Sequence, residues 1–392
     1  MSLMTLGAAF LINPRVSIAK GSNSPFVDMS SLKPSTRGVS TTISRPYSGG
    51  SKFLPGDVLM ARITPSLENG KTAIYFSAPG ATGAAFGSTE FIVFRGREGL
   101  SDTNYGYYLL TSNEVREHAI ASMNGSSGRQ RVQLDSLASY EIDLPPLNEQ
   151  RAIAATLGVF DDKIESNRRA IQLIEDLCHA HFDRLFDVSN NDEGVPLSQH
   201  FEVNPRRSLS SGQVGTYVGM ASLPEFSAEI YNWEEKPAGS GQRFVNGDVL
   251  MARITPCLEN GKTAVVDMLD SGAVGWGSTE YIVLAPKGNI GTEWIYCLVR
   301  NEAIRTFAIV SMTGTSGRQR FQADRFDQYK IACPPEAALS EFNSLATPQF
   351  SRMTQMRNET LDLLALRDAL LPELLSGRIR ITDAEHLAEM ER

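Results

Sequence analysis

The residues best suited to chemistry lie in a loop rich in glycine and serine, Gly125 to Arg131, which ends in Arg129-Gln130-Arg131. Arginine can bridge the two acceptors of guanine, glutamine can match adenine, and a guanidinium also suits a phosphate. The loop returns nearly unchanged within Met312 to Arg320. It predicts contact with nucleic acid, with Gln130 and Arg131 near bases and Arg129 near bases or phosphate.

Other polar residues recur in both copies and also suit phosphates or base edges. Structural interpretations stay open beside this one: Arg62 can form an ion pair from its strand, and Ser88 with Thr89 can do no more than start a strand. The complete predicted DNA-binding set is Arg62, Thr64, Lys71, Ser88, Thr89, Arg129, Gln130, Arg131, Arg253, Thr255, Lys262, Ser278, Thr279, Arg318, Gln319 and Arg320.

Gly70-Lys71-Thr72 and its repeat at 261–263 look like the end of a phosphate-binding loop. The full pattern needs a glycine five residues before the Gly-Lys pair, where this chain has Pro65 and Pro256. Asn69 before Gly70 instead indicates the tight turn of a β-hairpin, because Asn-Gly adopts the positive φ angles of such turns. An enzyme that binds a nucleotide here stays a rival hypothesis, which nucleotide-binding measurements on Lys71 and Lys262 variants would test.

Composition favours a globular, cytoplasmic protein. The 392 residues are 42% hydrophobic and 21% charged, with a net charge of −8, and no apolar run has the length of a membrane helix. The four cysteines are scattered and predict neither disulfides nor a metal site. No catalytic set and no cofactor motif recurs in both copies, so we expect no catalytic residues and no cofactor in this chain.

The whole chain is organised around a duplication. GDVLMARITPSLENGKTA, Gly56 to Ala73, returns as GDVLMARITPCLENGKTA, Gly247 to Ala264. Within a copy, the apolar runs 58–63 and 72–76 predict a hairpin, 89–94 a further strand, and 104–123 (292–312 in the second copy) one helix capped by Asp102 or Thr103. Each copy is therefore predicted to be α+β.

Each copy is followed by a long helical segment. In the first, apolar positions alternate at spacings of four and three, which is a coiled-coil seam. The seam is Ile153, Leu157, Phe160, Ile164, Asn167, Ile171, Ile174, Cys178, His181 and Leu185. The second segment keeps the spacing less cleanly, with Pro348 expected to open its main run and Pro372 to kink or end it. We expect the two helices to pair antiparallel, with Asn167 setting the register.

This architecture resembles the specificity subunits of type I restriction-modification systems. The phrase YEIDLPPLNEQRAIAATLGVFDDKIESNRRAIQLIEDL, Tyr140 to Leu177, is similar to the start of that family's first spacer helix, and LRDALLPELLSGRIRI, Leu366 to Ile381, to the end of its second. The resemblance implies two similar α/β target-recognition domains separated by two long antiparallel coiled-coil helices, with a pseudo-twofold duplication. The predicted boundaries are 1–145 and 192–335 for the domains, 146–191 and 336–378 for the helices, and 379–392 for a tail.

The resemblance also implies partners: double-stranded DNA, two methyltransferase (M) subunits, and restriction (R) subunits through the complex. S-adenosylmethionine would belong to the methyltransferase. Because the two loops are nearly identical, we predict a bipartite, nearly palindromic target with half-site centres about 34 to 36 Å apart. Cys333-Pro334-Pro335 lacks the Leu-x-Glu-Gln continuation of the first copy, so docking at the two helices need not be equal. A symmetric protein adaptor that does not bind DNA is the alternative function.

Overall fold

The computed structural model describes residues 2–78, 83–126, 128–315 and 317–380. Its contacts divide the chain into two compact units: unit 1 comprises the residues up to Glu165 and those from Asp362 onward, and unit 2 comprises Ser166–Leu361. Each unit thus contains one copy and a segment of each long helix, whereas the predicted boundaries set the helices apart. Most of the predicted tail, 381–392, lies outside the described residues. In the part of the chain that is described, no helix is both long and apolar enough to cross a membrane.

The described elements of the first copy precede the first long helix in chain order. They are β1 (Ser2–Thr5), α1 (Leu6–Ala9), β2 (Phe10–Ile12), β3 (Asn23–Val27), β4 (Gly38–Val39), β5 (Ser44–Pro46), β6 (Ser51–Phe53), β7 (Val58–Ala61), β8 (Thr72–Tyr75), β9 (Ala85–Gly87), β10 (Phe91–Gly96), α2 (Thr103–Thr111), α3 (Asn113–Ala121), α4 (Leu134–Ala138), β11 (Glu141–Leu144) and α5 (Leu147–Leu185).

The second copy repeats this order and ends in the second long helix. Its elements are β12 (Val195–Pro196), β13 (Glu202–Val203), β14 (Val214–Val218), β15 (Glu234–Pro237), β16 (Arg243–Phe244), β17 (Val249–Ala252), β18 (Thr263–Val265), β19 (Gly275–Gly277), β20 (Tyr281–Ala285), α6 (Thr292–Arg300), α7 (Glu302–Val310), β21 (Lys330–Ile331) and α8 (Glu336–Leu375), with 3₁₀ turns at Leu197–Gln199 and Ala323–Gln328.

Corresponding sheets form in both units. Among the described residues, unit 1 has sheets in the orders β2-β10-β7-β8-β4, β5-β3-β9-β6 and β1-β11, and unit 2 has β13-β20-β17-β18, β15-β14-β19-β16 and β12-β21. Most neighbouring strands are antiparallel, but three pairs are parallel: β3 with β9, β4 with β8, and β14 with β19. The chain is therefore a mixed α/β protein with two similar domains and two long helices.

The repeated strands are apolar on both faces because each lies between two cores. Val58 and Met60 of β7 pack with the helices, while Leu59 between them packs into a second cluster with Tyr75 and Phe53. Successive side chains of a strand point to opposite faces, so both sets of positions must be apolar here. This burial explains why the run Val-Leu-Met-Ala is the same in both copies.

The predicted hairpin is confirmed in its strands and wrong in its turn. β7 and β8 pair antiparallel, with Val58 opposite Ile74, but they are joined by residues 62–71 and not by a two-residue turn. Only Gly70 of the Asn69-Gly70 pair has a positive φ, 71°, whereas the turn expected from Asn-Gly needs it at both residues. The amide of Asn69 instead donates to the Pro65 carbonyl at 3.0 Å, as in a helical turn.

Each predicted single helix, 104–123 and 292–312, is two helices. Ser112 separates α2 from α3 with an extended backbone, φ −61° and ψ 151°, and its hydroxyl accepts from the Val115 amide at 3.5 Å. Asn301 separates α6 from α7 in the same way. The cap predicted at Asp102 is confirmed, because its carboxylate accepts from the Tyr105 amide at 3.0 Å. Apolar periodicity continued across the break, so the pattern alone missed it.

The long helix α5 is uninterrupted, and most of the predicted seam is buried, from Ile153 to Cys178. In unit 2 the two helices run antiparallel: Asn167 Nδ2 donates to Glu359 at 2.8 Å, and Arg184, further along α5, pairs with Glu341, further back along α8, at 2.6 Å. The expectation for Pro348 was wrong, since α8 continues through it. Pro348 lies on the exposed face, where water can satisfy the carbonyl that loses its backbone partner.

Candidate nucleic-acid interface

The loop between α3 and α4 of unit 1 projects from a fixed base. Asn124 and Arg131 exchange two backbone hydrogen bonds across it, at 3.0 and 2.9 Å. The Thr64 amide donates to the Gln130 carbonyl at 3.0 Å, and the Thr64 hydroxyl accepts from the Gln130 amide at 3.1 Å. The structure thus brings the loop against the segment that follows β7, and Thr64 acts as its backbone anchor.

Glycine is required where this loop turns. Gly125 has a φ of 134°, and a Cβ there would lie 3.1 Å from the Arg129 carbonyl oxygen. Gly314 repeats the geometry with a φ of 129°. A side chain at either position would strain the backbone, because L-residues rarely adopt these angles. Ser127 and Ser316, inside the two loops, lie outside the described residues.

A carboxylate that the sequence analysis did not single out holds the loop arginine. Arg131 donates from Nε and Nη2 to the Glu90 carboxylate at 2.7 to 3.0 Å, and Arg62 Nε lies 3.9 Å from the same group. The hydrogen bonds from Arg131 hold the pKa of Glu90 below its usual range, so it stays ionised at neutral pH. The available signal was the repeat of Gly-Ser-Thr-Glu, which keeps this glutamate in both copies as Glu90 and Glu280.

Unit 2 reproduces this arrangement. Arg320 donates to the Glu280 carboxylate at 2.7 to 2.9 Å, and Arg253 Nε donates to it at 3.2 Å. The Arg320 hydrogen bonds lower the pKa of Glu280 as well. The Thr255 amide donates to the Gln319 carbonyl at 3.1 Å. Two of the predicted site residues therefore converge on one carboxylate in each copy: Arg62 and Arg131 on Glu90, and Arg253 and Arg320 on Glu280.

The side chains most accessible to a ligand precede Arg131 and Arg320, the two arginines that the Glu90 and Glu280 carboxylates hold. Arg129 and Arg318 are exposed, and neither guanidinium forms an ion pair with any residue the structure describes. Gln130 and Gln319 are half-buried. An exposed, unpaired arginine beside a glutamine on a rigid base can supply a phosphate contact and an amide for a base edge.

The remaining predicted residues have local partners. Lys71 Nζ donates to the Met29 carbonyl at 3.0 Å, and Lys262 Nζ to the Met220 carbonyl at 3.0 Å. Gly70-Lys71-Thr72 leads directly into strand β8, whereas a phosphate-binding loop leads into the N-terminus of a helix.

The predicted serine and threonine residues directly precede the glutamate that holds the loop arginine in each copy. Ser88 Oγ accepts from the Glu90 amide at 3.1 Å, and Ser278 Oγ from the Glu280 amide at 3.1 Å. The serines therefore help to position the carboxylates. The threonines beside them, Thr89 and Thr279, are exposed.

Buried polar groups attach the long helices to unit 1. Asp161 on α5 accepts from the Tyr108 hydroxyl of α2 at 2.6 Å and from Arg367 Nη1 of α8 at 2.7 Å. Both carboxylate oxygens are thus used, and burial with the neighbouring Asp161 raises the pKa of Tyr108. Because every polar group of this network has a partner, the network fixes the α5 and α8 segments against α2 of unit 1.

Unit 2 uses different buried groups for the same purpose. Arg357 on α8, which is 1% exposed, pairs with Asp267 and lies 3.3 Å from Glu229. Glu175 on α5 accepts from the Ala228 amide and from the Tyr296 hydroxyl. Burial raises the pKa of Glu175 to about 7, against the opposing effect of these donors.

Comparisons with known proteins show similarity to one class. The family described as "Type I restriction modification DNA specificity domain" matches residues 25–176. The Type I restriction enzyme EcoEI specificity subunit of Escherichia coli is 26% identical over 258 residues, 63% of this chain and 42% of that protein. The MjaIX specificity subunit of Methanocaldococcus jannaschii is 22% identical over 307 residues, 72% of this chain and 70% of that protein. The matched part spans about two fifths of the first relative.

The fold agrees with this class. The crystal structure of the type I restriction-modification system S subunit from M. genitalium superposes with a TM-score of 0.55 at 16% identity, and the match covers 95% of both chains. Residues 25–176 thus match the specificity domain of type I restriction-modification systems, and the chain is similar to specificity subunits of that family.

Proposed function

We propose that this chain is the DNA sequence-specificity subunit of a type I restriction-modification complex and is itself noncatalytic. Each unit reads one half of a bipartite target in double-stranded DNA. The observation that carries the proposal is the matched reading loop in the two units, Arg129-Gln130 and Arg318-Gln319, each next to an arginine that is held by a partly exposed glutamate. A duplicated binding surface without a duplicated catalytic set fits an adaptor for enzymes.

The roles within each loop follow from their partners. Gln130 and Gln319 would contact base edges, while Arg129 and Arg318 would contact phosphate or guanine. Arg131 and Arg320 would hold the loop through their hydrogen bonds to Glu90 and Glu280 and would expose the other edge of the guanidinium to DNA. Thr64, Ser88 and their repeats would help to position the loop. Lys71 and Lys262 donate hydrogen bonds to the Met29 and Met220 carbonyls, so they would stabilise those segments more than contact DNA.

The long helices α5 and α8 would dock two methyltransferase subunits, and through them the restriction subunits. The methyltransferase would supply S-adenosylmethionine. Because the two reading loops share their residues, we expect two similar half-sites in opposite orientation. The alternative, a symmetric adaptor that binds only protein, predicts no DNA binding when a methyltransferase subunit is added.

Methylome sequencing of cells that carry the complete system tests the proposal. We expect methylation at an interrupted, nearly palindromic sequence; two unrelated half-sites would contradict the inference drawn from the matched loops. Gln130→Ala should relax the reading of one half-site and Gln319→Ala that of the other, each by about 1 to 3 kcal/mol. Each variant is the matched control of the other.

The arginine variants separate phosphate contact from base reading. If Arg129 contacts a phosphate, Arg129→Ala lowers affinity for all sequences and reduces the slope of log affinity against log salt by about one. If it contacts guanine, the loss falls on one base pair of one half-site. Unchanged binding in both Arg129→Ala and Arg318→Ala would remove these loops from the interface.

A further inference from the structure

Unit 1 contains a cavity of about 310 Å³ that the reading of DNA does not use. It lies among the turn at Gly70, the break between α2 and α3, and the last turns of α8. Its lining includes Ser35, Gly70, Thr111, Arg116 and Pro372. This volume is at the lower end of the range for ligand pockets, large enough for one bulky side chain or a small molecule.

The second copy shows what fits at this place. Ser35 corresponds to Phe226 at the offset of 191, and both residues hold the same uncommon backbone, with φ angles of 53° and 55°. The Phe226 ring lies directly on Gly261, the repeat of Gly70: a Cβ on this glycine would be 2.7 Å from the ring. In unit 2 the equivalent space therefore receives an aromatic ring from the chain itself.

One arginine of the cavity wall is present in both units. In unit 2 the guanidinium carbons of Arg300 and Arg305 lie 4.8 and 4.9 Å from the Phe226 ring centroid, within the range of cation–π attraction. Arg305 corresponds to Arg116 of unit 1, while Thr111 replaces Arg300.

Arg116 retains the cation but not its ring partner. The Nε atoms of Arg116 and Arg305 are both buried without a hydrogen-bond partner among the described residues, but Arg305 also donates from Nη2 to the Glu259 carbonyl at 3.1 Å. Unit 1 therefore keeps the glycine floor and the guanidinium but has serine where the ring would be.

We propose that the unit 1 cavity binds the side chain of a tyrosine or tryptophan from the partner methyltransferase, an inference that rests on the proposed function. The ring would lie over Gly70 against Arg116, as Phe226 lies over Gly261 against Arg305. Polar groups at the rim, among them Asn69 and Asn113, suit the hydroxyl or indole N–H of such a residue.

The balanced charge of the rim suits a neutral aromatic side chain better than a phosphate. Glu114 and Asp368 line the cavity together with Arg116 and Arg367, and Asp368 is paired with Arg367, so the carboxylates offset the arginines that would otherwise attract a phosphate. The α8 residues of the lining belong to a helix assigned to partner docking, and aromatic anchors in pockets dominate many protein interfaces. Because Phe226 occupies the equivalent place in unit 2, this anchor site would exist on one unit only, and the two docking sites would differ.

The test fills the cavity with the ring that the second copy already carries. Ser35→Phe in the full chain uses a backbone conformation that holds phenylalanine at 226, and Ser35→Ala is the control that leaves the cavity open. We expect calorimetric titration with the methyltransferase subunit to show one of two sites weakened about 30-fold or more in Ser35→Phe, with Ser35→Ala like the wild type. Wild-type affinity at both sites in a folded Ser35→Phe chain would overturn the proposal.

Two further arms identify the occupant. Saturation-transfer NMR with N-acetyl-tryptophanamide should show binding to the wild-type chain and to Ser35→Ala and lose it in Ser35→Phe; equal binding to all three overturns the proposal. If Ser35→Phe weakens DNA binding but leaves methyltransferase binding intact, the cavity takes a nucleotide, and the protein occupant is wrong. If the wild-type chain binds no methyltransferase, the proposed function fails, while the NMR arm still tests the ring site.

Discussion

The two copies keep the same buried aspartate but neutralise it from different places. Asp57 and Asp248 are each 1% exposed, and each accepts from a backbone amide three residues earlier. Asp57 is paired with Arg95 of β10 through two hydrogen bonds of 2.6 and 2.7 Å. Asp248 is paired at 2.9 Å with Arg207, which lies beyond β13.

At the two positions that supply the arginine, each copy has an apolar residue where the other has the arginine. Ala285 stands where Arg95 would be in the second copy, and Val16 stands where Arg207 would be in the first. Packing between two cores holds the strand and turn around the aspartate. The arginine that neutralises it needs only to place its guanidinium within hydrogen-bond distance of the carboxylate. The aspartate is thus fixed by its local turn, while the arginine is replaceable as long as one remains.

The largest effect is expected for Arg95→Ala. It leaves the Asp57 carboxylate buried without its counter-ion, which we expect to cost unit 1 about 3 kcal/mol of its free energy of unfolding. All three tryptophans, Trp233, Trp276 and Trp294, lie in unit 2. In urea unfolding, the circular dichroism transition of unit 1 should shift while the tryptophan fluorescence transition keeps its midpoint.

Adding Val16→Arg to Arg95→Ala sharpens the comparison, because it moves the counter-ion to the place used by the second copy. We expect the double variant to recover part of the lost stability. Val16→Arg alone is the control and should not stabilise unit 1, since Asp57 is already paired. A double variant less stable than Arg95→Ala would mean that the two solutions are not exchangeable.

The second prediction uses the buried acids of α5. Asp161 in unit 1 has Arg367 as its counter-ion, whereas Glu175 in unit 2 is held by neutral donors and has a pKa raised to about 7. The folded state therefore binds the proton more tightly than the unfolded state. The stabilisation is fully present below the unfolded pKa of about 4.5 and is lost as pH rises through about 7.

Glu175→Gln should remove this part of the pH dependence. Tryptophan fluorescence of unit 2 should show the variant more stable than the wild type at pH 8, by on the order of 2 kcal/mol, and similar to it near pH 4.5. Burial also raises the pKa of Glu229, so a smaller slope of the same sign will remain. An unchanged slope in Glu175→Gln would contradict the assignment to Glu175.

The smallest effect is expected where the copies agree, at the clasping glutamates. Glu90→Gln loosens Arg131, and we expect discrimination at one half-site to fall about tenfold with little change in unfolding, because exposed ion pairs contribute little. Glu280→Gln should do the same at the other half-site. Competition binding with single-base variants of the target measures both, and a change at both half-sites from one substitution would show that the loops are not read independently.

Much of the local structure was predictable from the sequence. The strands β7 and β8, the capping role of Asp102 and the buried seam of α5 follow from side-chain periodicity and from residues next to one another in the chain. The breaks at Ser112 and Asn301 and the ten-residue connection before β8 were missed. In those places a side-chain hydrogen bond to the backbone or a distant segment decided the conformation, and neither leaves a period in the sequence.

The duplication, the family resemblance and the reading loop could be predicted from the sequence, because each is recognised from residues within short stretches. Tertiary structure decided which residues pair: Glu90 with Arg131, Asp57 with Arg95, and Asp248 with Arg207. It also decided that unit 1 has an open cavity beside Ser35, where unit 2 has the ring of Phe226. The three ion pairs join residues 38 or 41 positions apart. Periodicity cannot encode such pairings, because only folding brings those segments together.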